Sequence, residues 1–397
     1  MPTLLCTGCS SGLGLTTLSL LLDSLASSSS SSSPLRILAA TRSPALSAAH
    51  SALSTRARTL GGDLDWITGI DLRDLPSVAR FADQVKHRTD EVDCLFLNAG
   101  AWTSELRTVE LQNGEVWAEE AVVNCFAQHY LAQLLLPLLE KAASRAARER
   151  TTPPRVVFTS SKLHESISSL DDLLPLLRPP SPSSSSPLPP TTTSTGKHRY
   201  AASKLAALLS AQSLKDDLAA RRVGADVLAV SPGFVPSTAL SRESPWAGRW
   251  LMRNVVARVA PFAVTEEEGA KRLLRALPPP FSLPRPSSSS SSSSSSAHPS
   301  SSGPSGDFDP LSALLLTRRA NPTHHPLVFL SGPSTAAVEE VAKEGNLSAA
   351  LREVLPSAEG ATGGEEEEGR RREGEKVRGV WAPSVEELEG AGGEEVD

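Results

Sequence analysis

Apolar residues in this chain gather in short runs, separated by longer stretches in which they recur every three to four positions. Pro2 to Cys6, Leu35 to Ala40, Asp63 to Ile70, Val92 to Leu97, Arg155 to Thr159 and Asp226 to Val230 are the runs. A run without polar alternation suits a strand covered on both faces, as in a parallel sheet. Leu15 to Ala26 reads as an apolar-rich helix, and Leu75 to Val85 as another, with Val78, Phe81, Ala82 and Val85 at helical spacing. Glu115 to Ala147 predicts one long helix with Val122, Phe126, Tyr130 and Leu134 on its apolar face, and Tyr200 to Arg221 predicts a further one. Leu327 to Leu330 offers a seventh strand. Strand and helix alternate throughout, so the expected class is α/β, a doubly wound parallel sheet with helices on both faces. In such sheets ligands bind beyond the carboxyl ends of the strands.

Composition limits how much of the 397 residues can join that sheet. Ser27 to Ser33 is an unbroken serine run, Pro179 to Thr195 is almost wholly Pro, Ser and Thr, and Pro278 to Pro304 contains another serine tract. These segments bury too little apolar surface to offset their ordering entropy. The expectation is a single domain over 1–277 with inserts at 27–33 and 179–195, then a linker at 278–306. A strand and helix in 307–357 complete the domain, and 358–397 form an acidic tail. The net charge is −6, with acid concentrated in that tail (Glu365 to Glu368, Glu386, Glu387, Glu389, Glu394, Glu395). No basic stripe with interleaved aromatics is present, which argues against a nucleic-acid partner.

The four cysteines, Cys6, Cys9, Cys94 and Cys125, suggest a reducing compartment without a disulfide framework. Cys6 and Cys9 form a C-x-x-C, but no second pair follows, so no metal is expected. The chain begins directly on a strand, and no apolar run approaches the ~18–20 residues of a spanning helix. A soluble, cytoplasmic protein is the expectation.

Candidate chemistry falls at the strand ends. Thr7-Gly8-Cys9-Ser10-Ser11-Gly12-Leu13-Gly14 links the first strand to the first helix. Its glycines permit a tight turn, and the helix amino terminus favours an anion such as a pyrophosphate. The second strand ends at Thr41-Arg42, where a guanidinium suits a 2′-phosphate by charge and by bidentate geometry. Tyr200-Ala201-Ala202-Ser203-Lys204 sets a phenol and an ammonium on one helical face, where the cation favours the phenolate. The chain has only two tyrosines, Tyr130 and Tyr200.

Together these segments resemble the short-chain dehydrogenase/reductase family, whose fold is of the Rossmann type. The turn is similar to the family's T-G-x-x-x-G-x-G, and Tyr200 to Lys204 to its Y-x-x-x-K. Asn98-Ala99-Gly100 is similar to the N-A-G lining the cofactor cleft. The resemblance covers residues 1 to about 275 and implies hydride exchange between NADPH and a carbonyl or alcohol, with Tyr200 exchanging the proton. Lys204 would lower the Tyr200 pKa and hold the ribose. Ser161, with Ser160 as its fallback, would bond the substrate oxygen, and Asn124 would hold a proton-relay water. Gly8, Ser10, Ser11, Gly12, Leu13, Gly14, Arg42, Asp71, Leu72, Asn98, Ala99 and Gly100 would contact the cofactor, as would Pro232, Gly233 and Thr238.

Asp71-Leu72-Arg73-Asp74-Leu75-Pro76-Ser77-Val78 is similar to a stretch of retinol dehydrogenases and light-dependent protochlorophyllide reductases, and Ser231 to Arg242, followed by Thr265 to Arg272, is similar to the corresponding stretch of protochlorophyllide reductases. Ala201-Ala202 departs from the latter's Lys-Asp and puts photochemical reduction in doubt. A C=C reductase of that type, or a non-catalytic NADPH-binding sensor or scaffold, is the alternative to a carbonyl reductase acting on a lipophilic small molecule. Trp246 to Val264 carries three arginines and no acid. It reads first as a lid over such a substrate, with peripheral membrane contact through 246–264 as runner-up. A homodimer is a further expectation. The long insert His164 to Arg199, between Ser161 and Tyr200, lies where it could shape specificity or loop outward.

Overall fold

The computed structural model describes residues 1–27, 34–111, 114–167, 173–178, 193–235, 264–283 and 328–331. Seven parallel strands build the main sheet: β1 (Thr3–Thr7), β2 (Arg36–Thr41), β3 (Asp63–Thr68), β4 (Cys94–Leu97), β7 (Arg155–Thr159), β8 (Asp226–Ser231) and β9 (Val328–Ser331). Their order is β3-β2-β1-β4-β7-β8-β9. Successive strands step outward from β1 in one direction and from β4 in the other, so the ligand crevice opens between the two. β5 (Thr108–Glu110) and β6 (Val116–Ala118) form a separate antiparallel pair.

The continuous apolar runs are explained by burial on both faces. Leu5, Leu95 and Leu97 point into one core cluster, while Leu4, Cys6, Cys94 and Phe96 point into the other. Neighbours in one strand thus serve opposite layers, as the two-residue side-chain period requires. The helices are α1 (Gly12–Ser27), α2 (Ala48–Thr59), α3 (Leu75–Lys86), α4 (Glu119–Ala121), α5 (Ala127–Leu134), α6 (Leu136–Glu149), α7 (Leu173–Leu177), α8 (Thr193–Ala220) and α9 (Glu266–Ala276). Among the described residues no single helix is long and apolar enough to cross a membrane.

Three expectations are corrected. The segment expected as one helix from Glu115 to Ala147 begins as β6, continues through α4 into a π-helical turn at Val122–Phe126, and breaks at Leu135. The two helical arms meet at 57°. Pro137 sits in the first turn of α6, where its missing N–H costs nothing and its ring cannot continue the preceding helix. Second, α8 starts at Thr193, seven residues before Tyr200 and within the stretch expected as a solvated insert. Third, the folded unit extends beyond residue 277, because Phe281 is fully buried. The expected helix of 307–357, the acidic tail and the 246–263 stretch lie outside the described residues.

Candidate active site

The glycine turn fits closely over the end of β4. Gly8 has φ +66°, and a Cβ there would lie 2.5 Å from the Ala99 Cα. A Cβ on Gly14 would lie 2.3 Å from the Gly8 carbonyl oxygen. A side chain at either position would therefore break the turn. The first turn of α1, at Gly12, Leu13 and Gly14, carries no acidic residue that would neutralise its positive end. Its amide donors lack intrahelical partners, so this cradle fits a pyrophosphate. Ser11 accepts from Leu15 N–H (3.5 Å). The Ser10 carbonyl accepts from His50 Nε2 (2.8 Å), since His50 Nδ1 is occupied by the Ser47 N–H.

A chain of hydrogen bonds runs from this turn to the chemical groups. Asn98 Nδ2 donates to the Gly8 carbonyl (3.0 Å), and Thr159 Oγ1 donates to Asn98 Oδ1 (3.1 Å). The Thr159 carbonyl in turn accepts from Lys204 Nζ (2.8 Å). Ala99 is held on both sides, its N–H by Thr7 Oγ1 (3.2 Å) and its carbonyl by Gln128 Nε2 (3.0 Å). A Cβ on Gly100 would stand 3.4 Å from both Lys204 Nζ and Asn124 Oδ1, so the family-like N-A-G passes directly beside those side chains.

Tyr200 and Lys204 lie one turn apart on α8, both buried, with the ammonium 5.7 Å from the phenol ring centre. Burial pushes the Tyr200 phenol well above its ordinary pKa, and a hydrogen bond with Ser161 draws it partly back. Burial also lowers Lys204 to about 8. Ser161 Oγ accepts from Leu163 N–H (3.3 Å), which fixes it at the start of a short 3-10 turn, Lys162–Ser166. Ser160 has a buried hydroxyl with no hydrogen-bond partner among the described residues. The geometry therefore brings Ser161, not Ser160, to Tyr200.

Asn124 occupies the π turn, where an extra residue in the helix turns its side chain away from the regular ladder. Its Oδ1 accepts from Ala101 N–H (2.7 Å), and its Nδ2 donates to the Ala101 carbonyl (2.9 Å) and Ser203 Oγ (2.8 Å). The side chain thus ties the loop after β4 to α8.

The outer contacts are spread around the crevice. Arg42 stands exposed at the end of β2. The Asp71 carboxyl is held below its ordinary range chiefly by hydrogen bonds from Arg73, with Arg42 adding to the effect. Leu72 packs at the edge of the core. Gly233, at φ +90°, follows Pro232, whose carbonyl accepts from Arg272 Nη1 (3.4 Å) on α9. Thr238 lies outside the described residues. His50, Thr159, Gln128 and Arg272 were not anticipated from the sequence. Each acts through a partner more than twenty-five residues away, which no local pattern signals. A cleft of about 710 Å3 lined by Glu140, Arg150, Arg221 and Arg222 lies at the far end of α8. It is about 30 Å along the helix from Tyr200 and takes no part in this site.

The family model described as short chain dehydrogenase matches residues 2–163. A short-chain dehydrogenase/reductase of Pestalotiopsis microspora is 34% identical over 212 residues, covering 53% of this chain and 62% of that protein. A short chain dehydrogenase of Aspergillus sclerotiorum is 28% identical over 173 residues, covering 43% of this chain and 47% of its own length. The chain thus spans less than two thirds of these relatives. Among solved structures, NADPH-bound carbonyl reductase from chicken fatty liver aligns with 68% of this chain and 85% of its own, at 20% identity and a TM-score of 0.45. The carbonyl reductase Sniffer of D. melanogaster aligns with 68% of this chain and 89% of its own, at 21% identity and a TM-score of 0.42. Residues 2–163 thus match the short-chain dehydrogenase/reductase family, whose members are oxidoreductases that use a nicotinamide cofactor.

Proposed function

We propose that the protein is an NADPH-dependent oxidoreductase that transfers hydride between the nicotinamide and a carbonyl or alcohol carbon of a lipophilic small molecule. The observation that carries the reading is the meeting of Tyr200, Ser161 and Lys204 at one crevice, joined to the glycine turn through Thr159 and Asn98.

The nicotinamide, when bound, supplies or accepts the hydride. The residues of this chain manage the proton. Burial keeps the Tyr200 phenol protonated at neutral pH, which is the state needed to donate to a carbonyl oxygen. The Ser161 hydroxyl bonds the same oxygen as negative charge develops on it. Lys204, at about 8, is mostly ammonium at neutral pH. From beside the ring it stabilises the phenolate left behind. Alcohol oxidation uses the same groups in reverse.

The choice of NADPH is supported by Arg42, exposed at the strand end in Thr41-Arg42-Ser43, a sequence with no carboxylate to repel a 2′-phosphate. The indole of Trp102 beside Tyr200 supports a lipophilic substrate. The test is Tyr200→Phe, assayed by NADPH fluorescence for binding and by NADPH oxidation against a panel of retinals, steroid ketones, aliphatic aldehydes and quinones. Cofactor binding is expected to persist while turnover is lost. Turnover retained in the variant would remove Tyr200 from this role. A wild-type protein that binds NADPH and reduces none of the panel would favour a non-catalytic sensor.

A further inference from the structure

Trp102 follows the family-like N-A-G by two residues, and its ring stacks on Tyr200 with centres 5.5 Å apart and planes at 29°. It belongs to neither hydrophobic core and is half-exposed. The chain on either side of it is nonetheless fixed. Ala101 before it has both backbone groups bonded to the Asn124 side chain. Thr103 after it donates to Glu120 Oε1 through its N–H (3.2 Å) and its hydroxyl (2.5 Å).

Arg199, next to Tyr200 on α8, completes the mounting. Its Nη2 donates to the carbonyls of Thr103 (3.1 Å) and Glu105 (2.9 Å) and lies 3.5 Å from Glu120 Oε1. The Arg199 and Glu120 side chains are 4% and 0% exposed. Burying a charge pair this deeply forfeits hydration that the ion pair itself seldom recovers. An aromatic ring that contributes nothing to the core, held rigidly at the proton donor by such a pair, is a recognition surface.

We propose that Trp102 selects flat, conjugated carbonyl compounds, and that Arg199 and Glu120 position it to do so. The proposal rests on Tyr200 as the proton donor. A substrate oxygen shared by Tyr200 and Ser161 brings the group attached to that carbonyl alongside the indole. A conjugated ring there extends the existing stack, whereas an alkyl group gains only contact area.

The test compares kcat/KM with NADPH for flat substrates (9,10-phenanthrenequinone, 1-tetralone) and compact aliphatic ones (hexanal, cyclohexanone) in wild type, Trp102→Leu and Trp102→Phe. The flat-to-aliphatic ratio is expected to fall roughly tenfold in Trp102→Leu and to recover largely in Trp102→Phe, which restores a stacking ring. An unchanged ratio would overturn the proposal, even where both activities drop. Circular dichroism confirms that the variants fold. In parallel, calorimetric titration of 1-tetralone into NADP+-loaded protein measures recognition without turnover. If wild type reduces no carbonyl yet binds 1-tetralone roughly tenfold more tightly than Trp102→Leu, the Tyr200 reading fails and recognition by Trp102 stands. Equal binding by the two proteins refutes it.

Discussion

Lys204→Met exposes the cost of placing an ammonium inside the crevice. Methionine nearly matches the lysine stem in volume but carries no charge, so packing is largely kept. Burial brings Lys204 to about 8 from the ordinary 10.5. A folded pKa below the unfolded one means that the unfolded chain holds more protons between those two values. Wild-type stability, measured relative to the variant, therefore rises with pH across that window, and the penalty is fully present below pH 8. From the two pKa values the penalty is about 3 kcal/mol at pH 7, about 2 at pH 9 and about 1 at pH 10. Losing the bond to the Thr159 carbonyl adds an offset that does not vary with pH. Groups common to both proteins cancel in the difference. Urea melts of the cofactor-free proteins from pH 7 to pH 10 should show the difference shifting toward wild type by about 2 kcal/mol. Parallel stability curves over that range would refute the buried-cation argument.

Other outcomes test separate parts of the site. Carbonyl reduction should decline as pH rises through about 8, because Lys204 then loses the charge that supports the Tyr200 phenolate; a flat kcat/KM profile from pH 6.5 to 9.5 counts against that role. Arg42→Ala should weaken NADPH roughly 10- to 100-fold, the worth of a lost charge-assisted contact, and leave NADH nearly untouched. Fluorescence titration with both cofactors decides this, and equal losses would exclude a 2′-phosphate contact. Phe281→Ala should destabilise the fold by about 3–5 kcal/mol in urea, whereas an unchanged midpoint would put residues 278–283 outside the cooperative unit.

The sheet was legible because strands covered on both faces must be apolar at successive positions, as Ile37 to Ala40 and Cys94 to Leu97 are. The turn at Gly8 to Gly14 was legible for a similar reason, since steric demand leaves few residue types there. The break in the Glu115 to Ala147 segment was hidden because Val122, Phe126, Tyr130 and Leu134 keep their four-residue spacing through the π turn. Only Pro137 marked the interruption. α2 was missed because Ala, Ser, Thr and Arg dominate it, leaving no apolar stripe, and its capping box uses His50 rather than an acid or amide. The mounting of Trp102 was out of reach, because Thr103, Glu120 and Arg199 are brought together only by the tertiary fold.

A Cβ on Gly196, in the first turn of α8, would lie 2.6 Å from the Thr103 carbonyl oxygen and 2.9 Å from that of Ser104. Gly196 therefore lets the start of the helix seat directly against the loop that carries Trp102. This seat uncouples the length of the preceding insert from the position of Tyr200, because the helix takes its register from the contact and not from the chain leading into it. Residues 179–192 could then drift in length and composition during evolution without disturbing Tyr200. The same stretch is a natural place to splice in a reporter or an affinity handle, while a bulkier residue at 196 would be felt at Trp102 and Tyr200 at once.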